Sequence, residues 1–162
     1  MKEEFIILIN QHKGILQKIC SIYFYRNPNK EDYYQEMVIR LWKSYPQFRK
    51  DSAFSTWLYR VALNTAIDLI RKQSLRPWHS ELSKSEYNVA ESDTNMESDH
   101  RDQLYEAINQ LTHIDKAIIL LHFEDYNYKE IGDIMGISES NAGVRINRIK
   151  HQLIKILENG KH

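Results

Sequence analysis

The 162-residue chain has one cysteine, five glycines, three prolines and no apolar run long enough to span a bilayer. A single thiol, Cys20, excludes an internal disulfide and a thiolate zinc cluster, and its neighbours Ile19 and Ile22 mark it as a buried structural residue rather than a reactive one. With no leader-like segment and no membrane span, a cytoplasmic protein without membrane insertion is expected. Net charge is missing too: 22 Lys and Arg balance 22 Asp and Glu, so a uniformly basic nucleic-acid-binding coat is excluded. Scarce glycine and proline, with no sustained period-two alternation, argue against sheet and for an all-α chain.

What charge there is lies unevenly. Residues 1–79 carry a net +6, residues 80–100 a net −5 and residues 101–162 a net −1. Apolar periodicity follows the same division. Phe5, Leu8, Ile9, Ile15, Ile19, Ile22 and Tyr23 predict one helix over about residues 3–24, with Gly14 inside it. Asn29 is placed to cap a second helix running to about Ser44, which Pro46 ends. A third, from about Ala53 to Lys72, carries Phe54, Leu58, Val61, Ala62, Thr65 and Leu69 at helical spacing. The pattern lapses over residues 74–100, where an acidic stretch rich in Ser, Asn and Asp cannot bury enough surface to offset its conformational entropy. The expected architecture is two small helical domains, residues 1–73 and 101–162, joined by a flexible acidic linker.

The C-terminal domain holds the strongest local signal. Leu104, Ala107, Ile108 and Leu111 mark a short helix, and Ile114 to Phe123 an apolar one capped by Thr112. Asn127 and Glu130 form a capping-box pattern ahead of Ile131, Ile134 and Met135. Gly136 fits a left-handed helix end, and Ser138 can cap a following helix from about Glu139. Along it Ala142, Ile146, Ile149, Leu153 and Ile156 form an apolar stripe, with five Lys and Arg against two acids over residues 137–162. Short helix, glycine turn and longer basic helix make a helix-turn-helix, whose second helix enters a major groove with its first residues near base edges and its basic residues near phosphates. Ser138, Ser140, Asn141, Arg145, Arg148 and Lys150 are the candidate duplex contacts, with Ser140, Asn141 and Arg145 placed nearest the bases.

In the N-terminal domain, four aromatic and three basic residues interleave between Phe48 and Arg60. Aromatic faces stack on unpaired bases while basic side chains track phosphates, which is the chemistry of single-strand binding. Aromatics spaced like Phe54 and Trp57 are, before context, more often core than stacking platform. Arg60, Asn64, Asp68, Arg71 and Lys72 extend a polar, largely basic face along the same helix.

Three segments together carry a family resemblance: Asp32-Tyr33-Tyr34-Gln35-Glu36; Phe54 to Asn64 with Asp68 and Arg71; and Glu130 to Ser138 with Arg145 and Arg148. Over roughly residues 5–73 and 101–155 the chain resembles an extracytoplasmic-function sigma factor of the sigma-70 family, the compact class of bacterial transcription initiation factors. The resemblance implies partners: core RNA polymerase, through the clamp coiled coil of its largest subunit and the flap of the second-largest; promoter DNA; and an inhibitory anti-sigma protein, which the family often uses. It implies that Asp32, Gln35, Glu36 and Ile39 dock on the clamp. Phe54, Ser55, Thr56, Trp57, Arg60, Asn64, Arg71 and Lys72 would open and hold the proximal promoter element, with Trp57 and Asn64 on bases. The second domain would read the distal element as duplex, and the free protein is expected to be a monomer. The sequence departs from the family pattern at Asn141, where many members carry Thr, and at Gly143, where many are basic. Gly143 is either a point of close approach to DNA or a subgroup habit.

An enzyme is the weaker reading. His113, His122 and His151 lack metal-ligand spacing, and the Asp32/Glu36 pair has no nucleophile or phosphate-cradling loop beside it. No cofactor, metal or catalytic residue is therefore expected. The stronger rival is a conventional helix-turn-helix regulator with an N-terminal dimerisation or sensing domain, which would leave Phe54 to Arg60 without an exposed role.

Overall fold

A computed structural model describes residues 1–74 and 96–160. The expected flexible acidic linker falls largely on residues 75–95, outside the described residues. The chain divides into two compact units, one containing residues 1–74 and the other residues 96–160. The described residues contain α-helices and one 3₁₀ turn, and no strand. None of these helices is long and apolar enough to cross a membrane.

The N-terminal unit is built from α1 (Lys2–Gln11), α2 (Lys13–Tyr23), α3 (Lys30–Ser44), a 3₁₀ turn (Tyr45–Gln47) and α4 (Phe54–Ser74). The single helix expected over residues 3–24 is in fact two. The break falls at His12, not at Gly14. The His12 ring donates from Nδ1 to the Leu8 carbonyl at 2.8 Å, and the His12 backbone N–H is shared between the Leu8 and Ile9 carbonyls. The His12 backbone itself leaves the helical region, at φ −116° and ψ 14°, and separates α1 from α2. Asn29 does occupy the N-cap of α3, but its side chain makes no capping bond; its backbone N–H instead donates to Asn27 Oδ1 at 2.9 Å. The cap expected of Asn29 is thus replaced by a turn that Asn27 closes.

Leu16 and Ile19 of α2, Met37 and Leu41 of α3, and Leu58, Ala62 and Ala66 of α4 are all fully buried, so three helices share one core. Removing any of the larger of these side chains would cost about 2–5 kcal/mol. Cys20 lies inside this core, and burial pushes its thiol up to about 11 against the pull of Lys30. At neutral pH it stays a thiol, as its apolar surroundings in the sequence indicate.

The C-terminal unit comprises α5 (Met96–Asn109), α6 (His113–Phe123), α7 (Tyr128–Met135) and α8 (Glu139–Asn159). Helix α5 starts within the stretch expected to be linker, and its buried residues Ala107 and Ile108 lie near its C-terminal end. The cap signals hold. Thr112 Oγ1 accepts from the Asp115 N–H, and Asn127 and Glu130 satisfy one another's backbone N–H groups at 2.8 and 3.1 Å. Gly136 has φ 74° and ends α7, and Ser138 Oγ accepts from the Asn141 N–H to start α8.

Two glycines set how closely α7 and α8 approach. A Cβ on Gly132 would stand 2.5 Å from the Ile137 carbonyl oxygen, and one on Gly143 would stand 3.1 Å from the Tyr128 ring. Gly143 is buried under that ring, so it meets α7 rather than DNA. The expectation of a close approach to DNA at Gly143 gives way to a packing role.

These environments predict opposite outcomes for one substitution. Gly132→Ala drives a methyl into backbone and should destabilise the C-terminal unit by about 1–3 kcal/mol. Gly14→Ala, in a helix with open space around it, should stabilise the N-terminal unit by about 0.4–1 kcal/mol. Urea denaturation of each variant, followed by circular dichroism, gives both signs.

Candidate nucleic-acid interface

Three surfaces collect the residues singled out in the sequence. On α3, Asp32, Gln35 and Ile39 are exposed and Glu36 is half-buried, at i, i+3, i+4 and i+7 on one face. Trp42, three residues beyond Ile39 and 41% exposed, extends that face and rests on Phe5 with ring centroids 5.0 Å apart. Its helical spacing from Ile39 is the signal that would have found it.

Helix α4 carries the second surface. Trp57, Arg60, Asn64, Asp68 and Arg71 recur at i, i+3, i+7, i+11 and i+14, a strip opposite Leu58, Ala62, Thr65 and Ala66. Arg60, Asn64, Arg71 and Lys72 are exposed, while Ser55, Thr56 and Trp57 in the first turn are half-buried. Trp57 belongs to an aromatic cluster. Its ring lies 5.1 Å from Phe48, 5.4 Å from Phe54 and 6.1 Å from Tyr45. Phe54 also touches His12 at 5.1 Å, so the break at His12 and the start of α4 are packed together. The interleaved aromatics are therefore core on one side, with accessible surface left on Trp57.

A chain of charges links the first two surfaces. Arg40 of α3 donates from Nη1 to Asp68 Oδ2 of α4 at 2.6 Å and from Nε to Glu36 at 3.4 Å, and Lys72 stands 3.4 Å from Asp68. Glu36 and Lys72, expected to serve separate partners, are thus ends of one network. No local pattern reveals this, because Arg40 and Asp68 are 28 positions apart.

The third surface is α8. Ser138 caps the helix, and Ser140, Asn141, Val144, Asn147, Arg148, Lys150 and His151 are exposed. Val144 is 67% exposed in the second turn, and with Ser140, Asn147 and His151 it recurs at i, i+4, i+7 and i+11. The sequence reading passed over Val144 and Asn147, although the helical period from Ser140 selects both. Arg145 points elsewhere. Its Nη1 lies 3.7 Å from Oδ1 of Asp115, a buried carboxylate on α6, and Arg148 Nη2 lies 3.4 Å from both Asp115 oxygens. The side chain of Arg145 is 32% exposed and that of Arg148 60%.

The geometry defines a class first: an all-helical protein whose second unit is a capped helix-turn-helix with a polar outer face. Comparison with known proteins then supplies the family. Residues 8–76 match the model for sigma-70 region 2, and residues 101–153 match that for sigma-70 region 4. The chain is 30% identical to the ECF RNA polymerase sigma-E factor of Escherichia coli, over 94% of this chain and 85% of that protein. It is 29% identical to the RNA polymerase sigma-H factor of Pseudomonas aeruginosa, over 97% of this chain and 88% of that one. Its fold is that of the sigma factor RpoE of Bartonella quintana, solved with the anti-sigma factor NepR, at a TM-score of 0.73, 18% identity, and coverage of 96% and 98% of the two chains. The chain belongs to the extracytoplasmic-function sigma factors of the sigma-70 family. It is a promoter-directing subunit of bacterial RNA polymerase rather than an enzyme or a conventional regulator.

The Arg40–Asp68 pair carries a pH prediction. The Arg40 hydrogen bond, helped by Lys72, holds the Asp68 carboxyl below its ordinary range against a smaller opposing effect of burial. A carboxylate more acidic folded than unfolded contributes its stability above its unfolded pKa, near about 4, and loses it as pH falls through the depressed folded value. Below pH about 4 the urea midpoint of the N-terminal unit should therefore fall less steeply in Asp68→Asn than in the wild type.

Proposed function

We propose that the three surfaces divide the work of promoter recognition. The Asp32, Gln35, Glu36 and Ile39 face of α3, with Trp42, takes the clamp coiled coil of the polymerase's largest subunit. Carboxylates around an apolar anchor suit a basic helical partner, giving electrostatic steering with a desolvated centre. The α4 strip opens and holds the proximal promoter element. Arg60, Arg71 and Lys72 lie along phosphates, Asn64 offers hydrogen bonds to a base edge, and the accessible part of Trp57 stacks on an unpaired base. Phe54, Ser55 and Thr56 form the packed turn that fixes Trp57. Flipping a base out costs a few kcal/mol, which stacking and edge hydrogen bonds offset. The outer face of α8 reads the distal element in the major groove, with Ser138, Ser140, Asn141 and now Val144 and Asn147 toward the bases, and Arg148 and Lys150 toward phosphates. Val144 suits a thymine methyl. The flap of the second-largest subunit and an anti-sigma protein are the further partners of this reading; the latter has support in the RpoE–NepR complex and in CnrH solved with the cytosolic domain of CnrY, to which the fold is similar at a TM-score of 0.70.

The observation that carries the reading is the α4 strip: one solvent face, opposite a fully buried stripe, that aligns an accessible indole, an amide and cations over four turns.

Reconstitution with core RNA polymerase lacking other initiation factors tests the assignment. Asp32→Ala with Ile39→Ala should weaken association with core at least tenfold; unchanged affinity would remove α3 from the docking surface. Trp57→Ala with Asn64→Ala should impair promoter opening, read by permanganate reactivity of unpaired thymines, more than it impairs duplex binding. Equal loss of both would reduce these residues to core.

A further inference from the structure

Among the described residues of the C-terminal unit Asp115 is the one buried acidic side chain, 5% exposed, and the cations against it come from the helix assigned to duplex DNA. We propose that Asp115 is a counter-ion that lets α8 give one arginine to a DNA phosphate while keeping the other. The inference rests on the reading of α8 as the duplex-binding helix.

The geometry is asymmetric in a way that assigns each arginine. Arg145 and Arg148 are three residues apart and straddle the carboxylate, at 3.7 Å and at 3.4 Å to both oxygens. The Arg148 separations are at the outer limit of a hydrogen bond and the Arg145 separation lies beyond it, an ion pair without a hydrogen bond, so neither guanidinium is pinned. A buried carboxylate stripped of every cation is costly, because desolvation is no longer compensated. With two cations on one carboxylate, one can leave without creating that situation and the second cannot. Arg148 is nearly twice as exposed as Arg145, 60% against 32%, so Arg148 is the one that swings to phosphate and Arg145 the one that remains. Asp115 is therefore a positioning residue: it halves the number of phosphates the pair can neutralise. Since phosphate contacts carry no sequence information, restraining them lowers non-specific binding while leaving base readout intact.

The test measures binding of the full-length protein to a duplex of arbitrary sequence between 50 and 200 mM salt by fluorescence anisotropy. Each neutralised phosphate contributes about 0.9 to the slope of log affinity against log salt. Asp115→Asn keeps the shape, removes the charge and frees both arginines. Its slope should be steeper than that of the wild type by about 0.9, a further loss of about three- to fourfold across that salt range. Arg148→Gln should flatten the slope by the same amount, since Asp115 then retains Arg145. Adding Asp115→Asn to Arg148→Gln should restore the wild-type slope by releasing Arg145, a rescue that a merely structural carboxylate would not produce. The double variant Arg145→Gln with Arg148→Gln should flatten the slope no more than Arg148→Gln alone. Additive flattening there, or an unchanged slope in folded Asp115→Asn, overturns the proposal while leaving duplex binding in place. If Asp115→Asn and the double arginine variant both fail to fold, the three side chains serve folding alone and the proposal falls. Failure of the wild type to bind duplex at 50 mM salt overturns the α8 reading itself, and this inference with it.

Discussion

Burial of one apolar stripe on each of two 21-residue helices is the constraint from which the working surfaces follow. Helix α4 commits Leu58, Ala62, Thr65 and Ala66 to its core, and α8 commits Ala142, Ile146, Ile149 and Leu153. Because a helix repeats every 3.6 residues, fixing one face fixes the other. The strip from Trp57 to Arg71 and the strip from Ser140 to His151 have no freedom to rotate inward without exposing a continuous apolar edge. In small units with few helices to share the core, that commitment supplies most of the rigidity a readout surface needs. The capping bonds at Thr112, Asn127 and Ser138 then fix where the helices begin, so the first turn of α8 is set to within a residue.

The aromatic cluster shows how one segment meets two demands. Phe48, Phe54, Tyr45 and Trp57 pack on each other and, through His12 and Phe5, on α1 and the break before α2. A base-stacking platform must be stiff, or the entropy of ordering it is charged against binding. Packing Trp57 against three other rings makes it stiff, and leaving it half-buried keeps part of its surface available. On the proposed reading of Trp57 as a stacking platform, core and platform are two sides of the same indole.

Much of this was legible in the sequence wherever the cause lay within one turn of helix. The Asn127–Glu130 box, the Gly136 turn and the Ser138 cap depend on residues three or four apart, and each is where the pattern places it. The apolar stripes are equally local. What stayed hidden depends on distant partners. The pairing of Arg145 with Asp115, 30 positions earlier, has no local signal, and Gly143 looks like an opening toward DNA until Tyr128 is seen to fill it. The His12 break escaped because the apolar positions Phe5 to Ile9 and Ile15 to Tyr23 were joined across the polar run of residues 10–14, where the backbone leaves the helical region. Helix α5 was read as too short because the sequence of its first turn, Glu97-Ser98-Asp99-His100, carries no apolar period.

The two glycines between α7 and α8 have an evolutionary consequence. By letting the helices meet backbone to backbone and backbone to ring, Gly132 and Gly143 tie the register of the helix-turn-helix to residues on its inner side. The outward positions Ser140, Val144, Asn147 and His151 are then released from any duty to the fold. Such a surface can drift through many side chains at little thermodynamic penalty, so, on the proposed reading of α8, a duplicated copy of this chain could acquire a different promoter vocabulary one residue at a time without passing through an unfolded ancestor.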